Sequence, residues 1–314
     1  MSENYHIPVL LNECTELLNI KKDGVYCDFT LGGGGHFAEI VKNLGENGTA
    51  VGIDRDITAV ERAKRAYFTA NGEKSRSAKI IIEQSPFSRF PEVLQKFNIE
   101  KIDGILMDLG VSSHQFDEGG RGFSYRSDAA LDMRMDRRDK KSAAEIINFA
   151  AEDELCRILD EYGEVRNPKR MAKKIVASRK IKKIDTTGEF VRILNEEYGQ
   201  LQNSVLSKIF QAFRIAVNSE LEELETALEN SLDFLNLGGR IVVLSYHSLE
   251  DRIVKNFFRD KAKNCICPKE LPKCICENKA KIKTVTKKST VAEESEILDN
   301  RRARSAKLRC GERI

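Results

Sequence analysis

Four consecutive glycines, Gly32–Gly35, follow a short β-like segment in "CDFTLGGGGHF" and lead into a helix-like one. Backbone without side chains just after a strand lets a ligand approach closely, as nucleotide cofactors do. In dinucleotide and methyl-donor sites, an acidic residue at the end of the second strand holds the ribose hydroxyls. Asp54, which ends the apolar segment "TAVGID", stands at that position. The pattern therefore predicts a nucleotide-type cofactor at this loop.

The same loop discriminates among such cofactors. In the dinucleotide fingerprint counted from Gly32, the third glycine would fall at Phe37, and no G-K-[ST] sequence follows for a triphosphate loop. S-adenosylmethionine (SAM) has no pyrophosphate and tolerates a looser glycine loop. A purely structural glycine turn is the alternative. Asp54 and Asp108 argue against it, because both end predicted strands and open α/β sheets bind ligands at the carboxyl ends of strands.

Alternating strand and helix patterns position these residues. Apolar strand-like segments cover residues 24–30, 49–54, 78–84 and 102–110, with helix-like segments at 36–45 and 57–68. This alternation predicts an α/β fold with a Rossmann-like core, in which helices cover both faces of a mostly parallel sheet.

The next strand-like segment begins only at residue 239. The interval after Asp108 is far longer than the ~30 residues of a complete βαβ unit, and its patterns are mostly helical. We therefore predict a core formed by residues 1–110 and 205–314, which ends in a cysteine loop and a basic tail. It is interrupted by an inserted helical domain at 111–204. A single amphipathic helix over 209–235 is expected to lead into the strand at 239–246.

The composition narrows the class of protein further. A chain of 314 residues with a net charge of +3 is not basic enough overall to indicate nucleic-acid binding, so any basic surface must be local. No apolar run approaches the ~18 residues of a membrane span, and the N-terminus lacks the pattern of a signal peptide. We therefore expect a cytoplasmic protein with no membrane partner, whose eight cysteines stay reduced as thiols or metal ligands.

Longer motifs lie outside the glycine loop. They are "HIPVLLNE", "DLGVSSHQFD", "RGFSY", "DMRMD", "SYHSLEDR" and "NRRARSAKLR", in this order along the chain. Together they closely resemble the bacterial small-subunit ribosomal RNA methyltransferase H family over nearly the whole chain. The resemblance implies a SAM-dependent methyltransferase core and methyl transfer to the exocyclic N4 amine of a cytosine near the decoding site of 16S-type ribosomal RNA. A nucleotide-dependent oxidoreductase and an RNA-binding protein that holds SAM without reacting are the rival classes.

The resemblance also implies roles for individual residues. The positions that would contact SAM are Gly34, Gly35, His36, Asp54 at the ribose, Phe87 beside the adenine, Asp108 and Gln115. Without the resemblance, Phe87 would be taken as a core aromatic residue, and the ring of His36 as packing at a helix start.

Asp108 is the predicted catalytic residue. An exocyclic amine is a poor nucleophile, so its nitrogen must be held in line with the methyl group while its hydrogens are bonded to acceptors. The sequence "DLGVSS" supplies the carboxylate but no proline–aromatic platform to stack the base. Phe123, Tyr125 and Tyr246 are the candidates for stacking, and each is equally typical of a core residue. His247 is the nearest titratable alternative, although the chemistry does not require a general base.

Four thiols stand within "CICPKELPKCIC", at Cys265, Cys267, Cys274 and Cys276. Four thiolates can close a tetrahedral Zn²⁺ site. The spacing is C-x-C twice rather than the better-attested C-x₂-C, so free thiols on a loop are the slightly favoured alternative.

The inserted segment holds a basic helical stretch at 166–183. The residues spaced to face a core are Met171, Ala172, Ile175 and Val176. The cations that lie largely off that stripe are Arg170, Lys173, Lys174, Arg179 and Lys180. With a second basic segment at 301–309, this stretch is the predicted contact for small-subunit ribosomal RNA, either free or in an assembling subunit. A basic helix face that is merely solvated is the alternative, and the sequence leaves the oligomeric state open.

Overall fold

The structure, a computed structural model, describes residues 8–69, 72–73, 78–111, 120–268, 271 and 274–314. The chain divides into two units. One contains the chain up to Gly110 and again from Leu221 to Ile314, and the other runs from Val111 to Glu220. Within the described residues, no helix is both long and apolar enough to cross a membrane.

The first unit is built on a seven-stranded sheet. Its strands are β1 (Val25–Asp28), β2 (Thr49–Asp54), β5 (Lys79–Gln84), β6 (Ile102–Asp108), β7 (Leu235–Ser245), β8 (Ile282–Thr284) and β9 (Lys307–Arg313), while β3 (Phe68–Thr69) and β4 (Gly72–Glu73) form a separate ribbon. The order across the sheet is β5-β2-β1-β6-β7-β9-β8. The first five strands in this order run parallel, and they are β5, β2, β1, β6 and β7. Strand β9 is antiparallel to both of its neighbours, β7 and β8. The predicted α/β fold with a mostly parallel sheet is confirmed.

Helices flank this sheet and make up most of the second unit. They are α1 (Leu11–Leu18), α2 (Gly35–Asn43), α3 (Ile57–Tyr67), α4 (Phe90–Lys96), α5 (Ala143–Phe149), α6 (Glu152–Arg157), α7 (Pro168–Ile181), α8 (Thr187–Tyr198), α9 (Asn203–Asn218), α10 (Glu220–Phe234), α11 (Ser248–Lys261) and α12 (Glu294–Asp299). Short 3₁₀ turns cover Phe87–Arg89 and Arg301–Ser305, and a π-helical turn covers Ile158–Tyr162.

Both faces of the sheet are buried, as expected for parallel strands covered by helices. Along β6, Leu106 packs into one apolar cluster with Phe37 of α2, whereas Ile105 and Met107 pack into the other with Phe90 of α4. Because successive side chains of a strand point to opposite faces, β6 contributes to two apolar cores, one on each face of the sheet.

Phe37 explains how this chain manages without the third glycine of the dinucleotide fingerprint. Its ring is fully buried between α2 and the sheet. The space comes from Gly52 on β2, where an added Cβ would lie 3.1 Å from Cε2 of Phe37. The close helix–strand approach is thus obtained by a glycine on the strand, and the helix can carry a large side chain.

The second unit has its own apolar core. The rings of Phe190 and Phe213 meet edge to face at 5.4 Å, and Phe210 lies 5.9 Å from Phe190. Two helix starts are fixed by capping boxes, one between Ser142 and Glu145 at α5 and one between Thr186 and Glu189 at α8.

The single helix predicted over 209–235 is wrong, because the segment forms two helices. Ser219 separates α9 from α10 with a left-handed backbone, φ 49°. The preceding Asn218 is buried, accepting a hydrogen bond from the N–H of Met135 and donating to the carbonyl of Met133. These bonds hold the end of α9 in the second unit. The chain therefore returns to the first unit at residue 221 rather than at the predicted 205.

The basic segment at 301–309 is not a tail. Residues 301–305 form a 3₁₀ turn, and Lys307 opens β9, which pairs with β7 from Ser245 to Arg240. Arg309 and Lys307 both contact the carboxylate of Asp251, at 2.7 and 3.3 Å. Two of its cations are therefore engaged within the first unit.

Candidate active site at the carboxyl edge of the sheet

The glycine loop after β1 presents bare backbone at the carboxyl edge of the sheet. Gly32 and Gly34 have positive φ angles of 44° and 81°, which favour glycine. A Cβ built on Gly33 or Gly34 would meet no described atom within 4 Å. No side chain of the described residues caps α2, so its first N–H groups lie at this opening. The loop therefore has both the space and the donors to receive a ligand.

Gly35 is a glycine for another reason. A Cβ at this position would lie 2.2 Å from Cγ of Pro8, so the side chain of Pro8 already occupies the space. A cofactor contact at Gly35 would therefore use the backbone of Gly35.

Asp54, at the end of β2, closes one side of the loop. Its two carboxylate oxygens accept hydrogen bonds from the N–H groups of Gly32 and Asp56, both at 2.8 Å. Burial raises the pKa of Asp54 to about 6, against the opposing effect of these bonds. A carboxylate offers about four acceptor directions, so roughly two remain for the hydroxyls of a ribose.

Asp28, at the end of β1, is a candidate site residue that the sequence analysis missed. It is buried, accepts a hydrogen bond from the N–H of Thr30 at 3.0 Å, and burial raises its pKa to about 6. The negative charges of Asp108 and Asp54 raise it further. The available signal was its position, because Asp28 ends a strand just as Asp54 and Asp108 do.

Asp108 ends β6 and is held from two sides. Its Oδ1 accepts a hydrogen bond of 2.6 Å from the hydroxyl of Tyr246, and its Oδ2 lies 3.6 Å from Nδ1 of His36. Burial raises the pKa of Asp108, whereas the charge of His36 and the bond from Tyr246 lower it. Its backbone N–H donates to Oγ1 of Thr30 at 2.6 Å, which joins the end of β6 to the loop after β1.

His36 bridges two parts of the chain. Its Nε2 lies 3.0 Å from the carbonyl of Val9, which can only accept, so Nε2 carries a hydrogen. Its Nδ1 then faces Asp108. The ring is therefore bonded at one edge and faces a carboxylate at the other, rather than simply packing at a helix start.

The two remaining residues predicted to contact SAM are Phe87 and Gln115. Phe87 begins the 3₁₀ turn shortly after β5, whose last residue, Gln84, pairs with Asp54. Its ring is half-buried against the core, at the same edge of the sheet as Asp54. Gln115 lies outside the described residues.

The alternatives for base stacking and proton transfer have other contacts. Tyr125 packs edge to face on Phe210 in the second unit, with ring centroids 5.7 Å apart, and Phe123 is buried there. His247 is the N-cap of α11, and its Nδ1 accepts from the N–H of Glu250 in a capping box. His247 therefore has a structural role at this helix start.

The four clustered cysteines lie together in the first unit. Their sulfur atoms all fall within 4.8 Å of one another. The N–H of Ile266 donates to the sulfur of Cys276 at 3.4 Å. This bond, together with one from the backbone of Asn278 and those from neighbouring thiols, lowers the pKa of the Cys276 thiol to about 6.

The basic helix of the second unit is α7. As predicted, Met171, Ala172 and Ile175 are buried. Several of its cations are engaged within the unit: Arg170 pairs with Glu197 at 2.7 Å, Lys174 with Glu196 at 3.5 Å, and Arg179 donates to two carbonyls. Lys173 and Lys180 are exposed and make no ion pair with the residues that the structure describes.

The fold and the site together define a class of protein. A mostly parallel sheet with an antiparallel β9, a glycine loop after β1 and carboxylates at the ends of β1, β2 and β6 make this chain a Rossmann-like SAM-dependent methyltransferase. The chain belongs to the MraW methylase family, whose model matches residues 3–314.

The similarity to individual proteins extends over nearly the full chain. The sequence is 49% identical to the ribosomal RNA small subunit methyltransferase H of Caldicellulosiruptor saccharolyticus, over 98% of this chain and 99% of that protein. It is 46% identical to the protein of the same name from Clostridioides difficile, over 99% and 100%. An rRNA methylase structure from Streptococcus thermophilus aligns with a TM-score of 0.42 and 10% identity, over 97% of this chain and 93% of that one. The resemblance predicted from the motifs is confirmed by the family and the two relatives.

Proposed function

We propose that this chain transfers a methyl group from SAM to the exocyclic N4 amine of a cytosine in small-subunit ribosomal RNA. The observation that carries the proposal is the placement of three carboxylates, Asp28, Asp54 and Asp108, around the open backbone of Gly33 and Gly34. The two similar proteins carry the name ribosomal RNA small subunit methyltransferase H, which supports the RNA substrate.

The charge of the site favours SAM over a dinucleotide. The mutual repulsion of the carboxylates contributes to the raised pKa of Asp28. SAM carries a sulfonium and an ammonium group, so its binding would relieve this repulsion. The pyrophosphate of a dinucleotide would increase it. This argues against an oxidoreductase independently of the missing third glycine.

The residues present fit the parts of SAM. The free acceptor directions of Asp54 suit the two ribose hydroxyls, and Phe87 lies at the same sheet edge to receive the adenine. The open space above Gly33 and Gly34 admits the ligand against the backbone. When bound, SAM supplies the electrophilic methyl group.

Asp108 would orient the incoming amine. Its Oδ1 accepts from the hydroxyl of Tyr246, whereas Oδ2 lies 3.6 Å from Nδ1 of His36, beyond a normal hydrogen bond. Oδ2 is therefore the oxygen that would accept an N–H of the cytosine. A fixed acceptor holds the nitrogen in line and stabilises the positive charge that develops on it. The proton that the nitrogen loses can pass to water, because the methylated amine is acidic enough without a base.

The second unit would supply the RNA contact. Lys173 and Lys180 on α7 are exposed cations, and lysine contacts with phosphates provide non-specific affinity. The target base must leave its stack to reach the methyl donor. We place this reaction in the cytoplasm, on free small-subunit RNA or on an assembling subunit.

Mass spectrometry of ribosomal RNA nucleosides tests the proposal. Cells lacking the protein should lose an N4-methylated cytidine from small-subunit RNA, and the wild-type gene should restore it whereas Asp54→Ala should not. Purified protein should also transfer tritiated methyl from SAM to RNA extracted from those cells. SAM binding without transfer to any RNA would favour the non-enzymatic alternative, and an unchanged nucleoside profile would contradict the substrate.

A further inference from the structure

The loop between α11 and β8 brings four cysteines together from two short arms. Cys265 and Cys267 lie on the outgoing arm, and Cys274 and Cys276 lie on the returning arm. The proposed methyl transfer does not use any of them. Their convergence therefore needs a separate explanation.

The spacing of the sulfur atoms matches a tetrahedral thiolate site. Zn–S bonds of ~2.3 Å in a tetrahedron place the sulfurs about 3.8 Å apart. The sulfur of Cys276 lies 3.6 Å from that of Cys274 and 3.9 Å from that of Cys265. All four sulfurs lie within 4.8 Å of one another. This is the separation that one small metal ion imposes on four ligands.

The backbone supports this arrangement in a symmetric way. The N–H of Ile266, between the cysteines of the first arm, donates to the sulfur of Cys276 at 3.4 Å. The N–H of Ile275, between those of the second arm, donates to the sulfur of Cys267 at 3.4 Å. Each arm thus gives one donor to a sulfur of the other. Such bonds stabilise thiolates, and they show how a C-x-C spacing can build a site.

Apolar packing does not account for the described residues at the tip of the loop. Ile266, Leu271 and Ile275 are exposed by 63%, 42% and 75%. The base of the loop, in contrast, is joined by hydrogen bonds from Asn278 to the carbonyl of Lys263 at 2.6 Å and from Lys281 to that of Lys261 at 2.8 Å. A loop without a core is held together by a metal or a disulfide in small domains.

We propose that Cys265, Cys267, Cys274 and Cys276 bind one structural Zn²⁺ ion. Four thiolates from the chain fill the tetrahedron and leave no open position for a substrate, which is typical of a structural rather than a catalytic site. Zinc has no redox chemistry, so the site needs no electron partner. The ion joins the two arms at the tip, as the hydrogen bonds join them at the base.

Metal analysis of the purified protein tests this site directly. Protein prepared under reducing conditions without chelator should contain about one zinc per chain. Replacement by Co²⁺ should give the visible spectrum of a tetrahedral tetrathiolate. The double variant Cys274→Ser/Cys276→Ser should lose both signals. Cys156→Ser removes a cysteine of the second unit that is remote in sequence, and it should keep both as the matched control.

Hydrogen exchange provides a readout that is independent of metal counting. The amides of Ile266 and Ile275 should exchange at least about tenfold faster after chelation, because their sulfur acceptors are released. The amide of Leu308, bonded to the carbonyl of Thr290 in the sheet region, should be unaffected.

Three results would overturn the proposal. The first is wild-type protein that contains no zinc and takes up neither Zn²⁺ nor Co²⁺ when they are added under reducing conditions. The second is iron in place of zinc. The third is a folded double variant, verified by circular dichroism, that keeps as much zinc as the Cys156→Ser control.

Discussion

The hydroxyl of Tyr246 donates to Oδ1 of Asp108 at 2.6 Å, between the ends of two adjacent parallel strands. Asp108 pairs with Leu244 across β6 and β7, so the tyrosine follows directly after the strand that neighbours the carboxylate. The bond occupies one oxygen and fixes the plane of the carboxylate. The carboxylate of Asp108 is thereby an oriented hydrogen-bond acceptor. Because its hydroxyl is held by this bond, the ring of Tyr246 is poorly suited to stack on the target base.

Substitutions at Asp108 should separate its acceptor role from its charge. Asp108→Asn keeps an acceptor oxygen and should retain partial activity, whereas Asp108→Ala should lose on the order of 10²–10³ in single-turnover rate. RNA affinity should change much less. Rates are measured at saturating SAM and RNA. A wild-type rate in Asp108→Ala would show that another group orients the amine.

Tyr246→Phe should change the pH dependence of the same reaction. The bond from Tyr246 lowers the pKa of Asp108, so its removal raises that pKa. If the ionised carboxylate is the active form, the acidic limb of the single-turnover rate should move to higher pH in the variant. A lower rate with an unshifted pH profile would mean that Tyr246 acts only in packing.

Gly33→Ala should weaken SAM binding without affecting the fold. Gly33 lacks a positive φ, and its added Cβ would meet no described atom within 4 Å. The methyl group instead enters the space expected for the ligand. Isothermal titration should show at least about tenfold weaker SAM affinity, or ~1.4 kcal/mol, with an unchanged melting temperature.

Gly45→Ala is the matched control for this substitution. It lies just beyond the other end of α2, and its Cβ would make an ordinary contact of 3.4 Å with Lys22. Its SAM affinity should equal that of the wild type. Equal affinities for the Gly33 and Gly45 variants would place the cofactor elsewhere.

Local patterns were sufficient to predict the parallel sheet. The strand predicted at 49–54 coincides with β2, because its apolar residues are continuous and it is buried on both faces. Asp54 and Asp108 were predicted as site residues on the same basis, because each ends a strand. The same rule, applied to β1, would have identified Asp28.

The missed features depend on residues far apart in the chain. Apolar periodicity continues through Ser219, so no local signal marks the break that follows the bonds of Asn218 to Met133 and Met135. The basic composition around Lys307 suggested a tail, whereas its pairing with Ser245 makes it part of a strand.

The exposed lysines of α7 provide a test of RNA binding by the second unit. Lys173→Glu/Lys180→Glu reverses two cations that have no ion-pair partner among the described residues, so the fold should tolerate it. RNA affinity should fall, and its dependence on salt should become shallower by about one unit per lost phosphate contact. Binding is measured over a salt series, with SAM affinity expected to remain constant.

Lys208→Glu on α9 is the control, because it reverses an exposed lysine on another helix of the same unit. It should bind RNA more tightly than the double variant and retain a salt dependence close to that of the wild type. The same affinity and slope in all three proteins would leave α7 as a solvated basic face.

Asp28→Asn should stabilise the cofactor-free protein at neutral pH. The pKa of Asp28 is raised by burial from 3.8 to about 6, and the charged groups around it are His36, Asp54 and Asp108. Because the folded state binds this proton more tightly than the unfolded state, its stabilising effect is full below pH ~4 and is lost as the pH rises through about 6. Above pH 6 the wild type carries an unfavourable buried charge that the amide lacks.

The variant should therefore match the wild type at pH 4 and exceed it by about 1–3 kcal/mol at pH 7.5. Urea unfolding at the two pH values measures this difference. The gain should come with weaker SAM binding, because one of the three carboxylates that face the cationic ligand is gone. A difference of the same size at both pH values would mean that the amide acts through packing, and a less stable variant at pH 7.5 would show that the charge of Asp28 is already compensated in the free protein.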